Sequence, residues 1–333
     1  MTRRTESKAL EFEKPRVVIS KCLEFDACRY NGQMIPYDLV KELSPFVEWV
    51  PVCPEVEIGL GVPRDPIRIV AEDGEARLVQ PSTERDLTDK MVTFTGEFLS
   101  GERDVDGFIL KSRSPSCGIR DVKQFTPAGH SSPDGKTRGF FGAAVVDRFP
   151  NAAIEDEGRL RNYVIREHFL TKLFARARFR TIIASGAIRD LVNFQAQNKL
   201  LLMAYNQTRM RKLGRLVANH GKIPTPELFE AYESGLGQAM ARAPRYTSNI
   251  NVMMHAAGYF SRELNKSEKA FFQRELARYR ERRTPLSTLL GVLRSWVVRF
   301  DDPYLREQTF FDPYPETLMA LSDSGKGRLS SRA

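Results

Sequence analysis

The chain has 333 residues, of which 41% are hydrophobic and 28% charged, and its mean hydropathy is −0.38. This balance is typical of a globular protein of about two domains and excludes a disordered or fibrous chain. No run approaches the roughly 18 apolar residues that cross a bilayer, and no apolar stretch follows the charged N-terminus as in a signal peptide. We therefore predict a cytoplasmic protein with no membrane partner.

Charge is divided unevenly along the chain. Residues 1–170 hold 24 Lys and Arg against 28 Asp and Glu, whereas residues 171–333 hold 27 against 14, a net charge of +13. Positive charge concentrated in one half suits a polyanionic partner, for which nucleic acid is the leading candidate. A solvated basic surface without a partner explains the charge equally well.

In the N-terminal half, three predicted strands alternate with helical patterns, and a loop that carries a cysteine follows each strand. The strands are residues 16–20, 47–52 and 106–110, the helices are residues 36–46 and 84–100, and the cysteines are Cys22, Cys53 and Cys117. Alternation of this kind predicts an α/β fold on a parallel sheet. Active sites of such sheets gather at the carboxyl ends of the strands, so we expect the three cysteines to converge there.

The rest of the chain predicts loops and then helices. Residues 55–68 and 121–137 indicate loops, residues 139–148 a helix, and residues 155–175 a long amphipathic helix that closes the first domain. Helical patterns then follow over residues 194–219, 226–240, 265–283 and 285–299. We predict a disordered leader (1–14), an α/β domain (15–175), an all-α basic domain (176–321) and a flexible tail (322–333).

The cysteines allow several interpretations. A disulfide framework is not expected in the cytosol, and no CxxC pair of the kind common in zinc sites is present. Iron–sulfur clusters normally take four thiolates, and a cluster with three leaves one iron open for chemistry. Buried thiols without a chemical role, a zinc site and a cluster all remain possible from spacing alone.

The residues around the cysteines resemble a known signature. Residues 20–32 read SKCLEFDACRYNG, residues 50–64 read VPVCPEVEIGLGVPR, and residues 109–121 read ILKSRSPSCGIRD. The blocks S-x-C-L, C-R-Y-x-G, P-V-C-P-E and K-S-x-S-P-S-C-G occur here in the order found in the 2-thiouracil desulfidases. The resemblance covers about residues 15–150.

This resemblance implies an α/β domain that holds a [4Fe–4S] cluster on three cysteines, here Cys22, Cys53 and Cys117. The fourth iron is then free to bind the sulfur of a thiocarbonyl substrate. The role of Cys28 stays open between an alternative ligand, a thiol close to the cluster and a packing residue.

Three further residues are candidates for catalysis. Glu55, two residues after Cys53, can activate water or protonate the product, or it can be a loop carboxylate held by backbone N–H groups. Ser114 and Ser116 can donate to the substrate or to cluster sulfurs, or they can shape the turn at Pro115. Arg64 can bind phosphate or form a structural ion pair.

The basic half contains LLMAYNQTRMRKLGRLVAN at residues 201–219, which resembles the core of a helical domain often fused to desulfidase domains. Basic residues near an aromatic side chain, here Tyr205, suit phosphate contact with base stacking. The candidate contacts are Arg209, Arg211, Lys212 and Arg215. Fused proteins of this kind resemble tRNA 4-thiouridine desulfidases, which implies tRNA as partner and conversion of 4-thiouridine to uridine.

Three alternatives remain. The enzyme can act on free thiouracil or thiolated nucleotides, with the helical half binding another protein. The chain can be a nucleic-acid-binding protein with a structural zinc and no catalysis. The helical half can also serve dimerisation, so the chain is expected to be a monomer or a homodimer.

Overall fold

The computed structural model describes residues 12–72, 74–102, 104–126, 135–219 and 221–319. The chain divides into two compact units, one formed by the residues up to Arg178 with those from Thr317 onward, and the other by Phe179–Glu316. Residues 1–11 of the predicted leader and all of the predicted tail lie outside the described residues.

Within its described residues, unit 1 combines nine strands with the first helices of the chain. The strands are β1 (Arg16–Ser20), β2 (Glu48–Val52), β3 (Arg68–Glu72), β4 (Glu75–Gln80), β5 (Arg85–Asp86), β6 (Gly107–Leu110), β7 (Val122–Phe125), β8 (Gly135–Thr137) and β9 (Ala153–Asp156). The helices are α1 (Asp38–Leu43), α2 (Pro54–Glu57), α3 (Thr88–Gly101), α4 (Phe140–Arg148) and, up to Arg178, the first part of α5 (Tyr163–Ser185).

The central sheet has the order β2-β1-β6-β9, and every neighbouring pair is parallel. The side chains of Val17, Val18 and Ile19 on β1 are fully buried, as are those of Phe108 and Ile109 on β6. Strands covered on both faces need such continuous apolar runs. The predicted fold class, a parallel-sheet α/β domain followed by an all-α domain, is therefore confirmed.

A second sheet differs from the sequence prediction. Its order is β5-β4-β3-β7-β8, and β7 and β8 lie within residues 121–137, where a loop was predicted. Residues 127–134 of that segment fall outside the part that the structure describes. β7 has only two apolar residues, Val122 and Phe125, which are too few for a periodic sequence pattern. Its strand conformation depends instead on parallel pairing with β3.

The predicted helix over residues 155–175 is also wrong at its start. β9 occupies Ala153–Asp156, and α5 begins only at Tyr163. β9 pairs with β6 along its whole length, and this non-local pairing overrides the helical pattern of the acidic residues. The central sheet therefore has β9 as its fourth strand, and the residues at the end of β9 lie at the carboxyl edge of the sheet.

Helix α4 fixes the loop that carries Cys117. The backbone N–H groups of Phe140 and Gly142 donate to the carbonyl oxygens of Pro115 (3.1 Å) and Ser116 (3.0 Å). A Cβ atom at Gly142 would lie 2.6 Å from the carbonyl oxygen of Cys117, so only glycine permits this approach. N–H groups in the first turn of α4, which have no partner within the helix, thus hold the loop that carries Cys117, called the cysteine loop below.

Unit 2 is helical. Its helices after α5 are α6 (Ile188–Gln197), α7 (Lys199–Ala218), α8 (Thr225–Ala239), α9 (Tyr246–Gly258), α10 (Lys266–Arg280), α11 (Leu286–Phe300) and α12 (Pro303–Arg306). Its core includes Phe179, Phe194 and Tyr232, whose rings lie 5.2–6.0 Å apart. No helix in the described ranges has the length and apolar character needed to cross a bilayer.

Candidate active site

A cavity of about 690 Å³ lies at the carboxyl ends of the central strands, and all four cysteines line it. Cys22 lies two residues after β1, Cys53 directly follows β2 and precedes α2, and Cys117 lies on the loop after β6. The structure therefore brings together the three residues that the sequence suggests as ligands. Cys28 joins them from the loop after β1.

The four thiols are buried. Burial, reinforced by the charge of Cys53, raises the pKa of Cys22 to about 12, and burial also raises the pKa of Cys117. Between Cys28 and Cys53, side-chain hydrogen bonding raises the pKa of Cys28 and lowers the pKa of Cys53. Burial thus disfavours thiolates at Cys22 and Cys117, and a cation in the cavity would stabilise them.

The donor chemistry fits a thiolate-bound cluster. Soft sulfur ligands select zinc, copper(I) or iron–sulfur centres. Across the ranges that the structure describes, no three His, Cys, Asp or Glu side chains are grouped to hold a single metal ion. Thiolates of a cluster bind different irons, so they can lie farther apart than ligands that share one zinc at about 2.3 Å.

Glu55 is held between two side chains beside the cysteines. Its Oε2 accepts hydrogen bonds from Nε (2.8 Å) and Nη2 (2.6 Å) of Arg64, and its Oε1 accepts one from Oγ of Ser116 (2.7 Å). Nη1 of Arg64 also donates to the carbonyl oxygen of Cys28 (3.0 Å). Arg64 is therefore the ion-pair partner of Glu55, and side chains rather than backbone N–H groups hold the carboxylate.

The two predicted serines have different surroundings. Oγ of Ser114 accepts from the backbone N–H groups of Ser116 (3.3 Å) and Cys117 (3.1 Å), which is the turn chemistry considered above. Its hydroxyl lies 2.9 Å from that of Ser116. Ser116 is fully buried and lies 3.8 Å from the sulfur of Cys117. Hydroxyl groups thus connect Glu55 with the cysteine loop.

Other residues of the site did not emerge from the sequence. Oγ of Ser20 accepts from the backbone N–H of Lys111 (2.9 Å) and lines the cavity with the cysteines. Glu157, directly after β9, accepts from Nζ of Lys111 and from Ser112 through the backbone N–H (2.6 Å) and Oγ (2.7 Å). Lys111 is the first residue of the K-S-x-S-P-S-C-G block, and membership of that block was the one sequence feature that could have indicated a role for it in the site.

We expect Glu157→Gln to destabilise unit 1. Glu157 is 6% exposed, and the change leaves the ammonium of Lys111 without its charged partner, at a cost of about 2 kcal/mol. Urea unfolding followed by circular dichroism measures the shift. Glu72→Gln, which affects an exposed pair with Arg77, is expected to cost less than about 0.5 kcal/mol. Equal shifts for the two variants would contradict this role of Glu157.

The predicted RNA contacts lie on α7 in unit 2. Arg211, Lys212 and Arg215 are exposed, and Arg209 is half-buried. The helix is interrupted at Asn206 (φ −159°, ψ 97°), whose Oδ1 accepts from the backbone N–H of Arg209 (3.0 Å). Tyr205 therefore lies before a break, and regular helical spacing does not relate it to the four basic residues.

Comparison with protein families gives two matches. Residues 17–157 match the model of the 2-thiouracil desulfurases, and residues 199–315 match a family described only as a protein of unknown function, DUF1722. The first range holds all four cysteines and Glu55. The second holds the basic segment of α7.

Two curated relatives and one solved structure are similar to parts of the chain. The uncharacterized protein YbbK of Bacillus subtilis (strain 168) is 32% identical over 121 residues, 34% of this chain and 80% of YbbK. The uncharacterized protein YbgA of Escherichia coli (strain K12) is 24% identical over 151 residues, 45% of this chain and 89% of YbgA. The [4Fe-4S]-dependent thiouracil desulfidase TudS is 26% identical with a TM-score of 0.33, over 44% of this chain and 93% of that structure.

Proposed function

Because the chain belongs to the 2-thiouracil desulfurase family through residues 17–157, we propose that it is an iron–sulfur-dependent desulfidase that converts 4-thiouridine in tRNA to uridine. The observation that carries this proposal is the grouping of four buried thiols around one cavity with Glu55 fixed beside them. The reaction is a hydrolysis in which water and a thiocarbonyl give a carbonyl and hydrogen sulfide. No electrons are gained or lost.

In this proposal Cys22, Cys53 and Cys117 hold a [4Fe–4S] cluster. When bound, the cluster supplies a thiophilic Lewis acid at its open iron, which stabilises the departing sulfur. The Cys53 thiol donates to the backbone carbonyl oxygen of Cys28 (3.9 Å), and Cys28 lines the same cavity. The hydroxyl of Ser116 lies 3.8 Å from the sulfur of Cys117, and hydrogen bonds of this kind orient and tune ligand sulfurs.

Glu55 is the proposed proton carrier. Arg64 occupies Oε2, which leaves Oε1 directed toward Ser116 and the cavity. The carboxylate takes one proton from water as the oxygen attacks the thiocarbonyl carbon, and it later returns this proton to the departing sulfur. The carboxylate, deprotonated again, then takes the second proton of water from the hydroxyl group on the tetrahedral carbon as the carbonyl forms, and it passes this proton to the sulfur, which departs as hydrogen sulfide.

Ser116 and Ser114 are proposed to support this transfer. The hydroxyl of Ser116 donates to Glu55 and lies next to the sulfur of Cys117, so it can reorient toward substrate once the carboxylate is protonated. Ser114 holds Ser116 through the hydroxyl contact at 2.9 Å. Their shared effect is to keep a polar path between the carboxylate and the cysteine loop.

The basic residues of unit 2 support RNA as the substrate. A desulfidase for free thiobases does not need the net charge of +13 that residues 171–333 carry, whereas binding to RNA phosphates benefits from such charge. Arg209, Arg211, Lys212 and Arg215 are the proposed contacts. The alternative substrate class, free thiouracil or thiolated nucleotides, places no requirement on these residues.

The test uses protein purified without oxygen, reconstituted with iron and sulfide, and incubated with bulk bacterial tRNA. The 4-thiouridine content of the digested RNA is expected to fall as uridine and sulfide appear, with no change for Cys53→Ala. Conversion of free 2-thiouracil or 4-thiouridine monophosphate with untouched tRNA would overturn the RNA part alone. Failure on all three substrates with an intact cluster would overturn the proposed activity.

A further inference from the structure

Unit 2 carries a second basic surface besides that of α7. Four residues follow one side of α10 and the turn after it at spacings of three or four positions, and two come from the start of α9. All six are exposed. This surface, the α10 stripe, consists of Phe271, Arg274, Arg278, Arg282, Arg245 and Tyr246.

Direct contacts join the two helices at this surface. The guanidinium of Arg282 lies 5.6 Å from the ring centre of Tyr246. Nearby, Nδ2 of Asn249 donates to the hydroxyl of Tyr279 (3.3 Å). The start of α9 and the end of α10 therefore form one continuous surface rather than two separate ones.

The stripe pairs arginines with exposed aromatic rings. Arg274 lies 5.2 Å from the ring centre of Phe271, and the rings of Phe271 and Tyr246 are 41% and 44% exposed. Exposed aromatic faces next to guanidinium groups are the arrangement on which nucleic-acid bases stack.

The positive charge of the stripe is only partly balanced. Arg278 pairs with Glu275 (3.3 Å). Arg245, Arg274 and Arg282, by contrast, take part in no ion pair with any residue that the structure describes. The guanidinium groups of three exposed arginines are thus available on the α10 stripe, where they can contact an anionic ligand without breaking an internal pair.

We propose that the α10 stripe binds a single-stranded part of an RNA, with its arginines on phosphates and Tyr246 and Phe271 stacked on bases. The inference rests on the proposed function, in which RNA is the substrate, and adds a second contact surface to that of α7. From Phe271 to Arg282 the stripe extends about 16 Å, enough for several phosphates of one strand. An acidic protein partner would use the arginines but has no bases to stack on the two rings.

The experiment measures binding of a fluorescently labelled, unmodified tRNA transcript to the full chain by anisotropy over a range of salt concentrations. The variant Arg245→Gln/Arg274→Gln/Arg282→Gln is expected to bind about 10- to 100-fold more weakly, and the slope of log Kd against log salt falls by about two. Tyr246→Ala/Phe271→Ala is expected to weaken binding at least tenfold with an unchanged salt slope. Lys90→Gln/Arg189→Gln/Lys222→Gln removes the same charge from exposed positions elsewhere and serves as the control.

Three results would overturn the stripe: an arginine variant that binds no more weakly than the control, an aromatic variant that binds like the wild type, or a wild-type chain that prefers polyglutamate to RNA. Sulfide release from free 4-thiouridine monophosphate is measured on the same reconstituted proteins. If a stripe variant still releases sulfide and binds RNA as well as the wild type does, the stripe is rejected and the desulfidase proposal stands. If the wild type releases no sulfide from the free nucleotide and also leaves 4-thiouridine in tRNA unchanged, the desulfidase proposal is rejected, while the binding data still decide the stripe.

Discussion

Replacing Cys53 by alanine is expected to remove the iron–sulfur centre and to lower desulfidase activity by at least 100-fold. Cys53 directly follows β2, and its thiol donates a hydrogen bond to the backbone carbonyl oxygen of Cys28 (3.9 Å). No other thiol lies on this loop, so its loss leaves two of the three proposed ligands. Iron and acid-labile sulfide per chain, together with visible absorption, measure the loss independently of activity.

Cys28→Ser is the matched control for that variant. Cys28 is 3% exposed and lines the same cavity, but the three-ligand proposal does not require its sulfur. Iron content is therefore expected to stay near that of the wild type, because the backbone carbonyl of residue 28 that accepts from Cys53 is unchanged. Loss of iron in Cys28→Ser with retention in Cys53→Ala would reverse the assignment, and far-UV circular dichroism verifies that both variants fold.

The part of the fold that the sequence predicts best is the part with strong local signals. The strands that end before Cys22, Cys53 and Cys117 are apolar runs, and the central sheet confirms the parallel arrangement expected of them. From that arrangement alone, the cysteines were expected to converge. Their roles as ligands stay a prediction, because spacing does not distinguish a cluster from buried thiols.

Features that depend on contacts between side chains or strands could not be predicted from the local sequence pattern. Glu157 was missed because β9 exists only through pairing with β6, and its acidic residues are equally typical of the start of a helix. The break at Asn206 depends on its side chain capping the backbone of Arg209, in a segment whose composition is otherwise helical. The sequence also did not identify Arg64 as the ion-pair partner of Glu55. Arg64 contacts Glu55 across a loop whose path the sequence does not specify.

Glu55→Gln is expected to lower kcat for desulfuration by about 10²- to 10⁴-fold, or about 3–5 kcal/mol in activation free energy, while iron content is retained. Glutamine has the same shape and can still accept from Ser116, but it cannot take a proton from water. The change also removes the charge that faces Arg64, which is only 6% exposed. Iron content and visible absorption are therefore measured beside kcat, so that a disturbed cysteine loop is distinguished from a lost base.

Glu57→Gln provides the comparison for this variant because Glu57 lies on the same short helix but is exposed. Its kcat is expected to stay within about twofold of the wild type, since it lies outside the cavity lining. Ser116→Ala should fall between the two, because it removes the donor to Oε1 but leaves the carboxylate and Arg64 in place. If Glu55→Gln kept more than a tenth of the wild-type kcat with a full complement of iron, the proton carrier would have to be another group in the cavity, and Lys111 with Glu157 would be the first to examine.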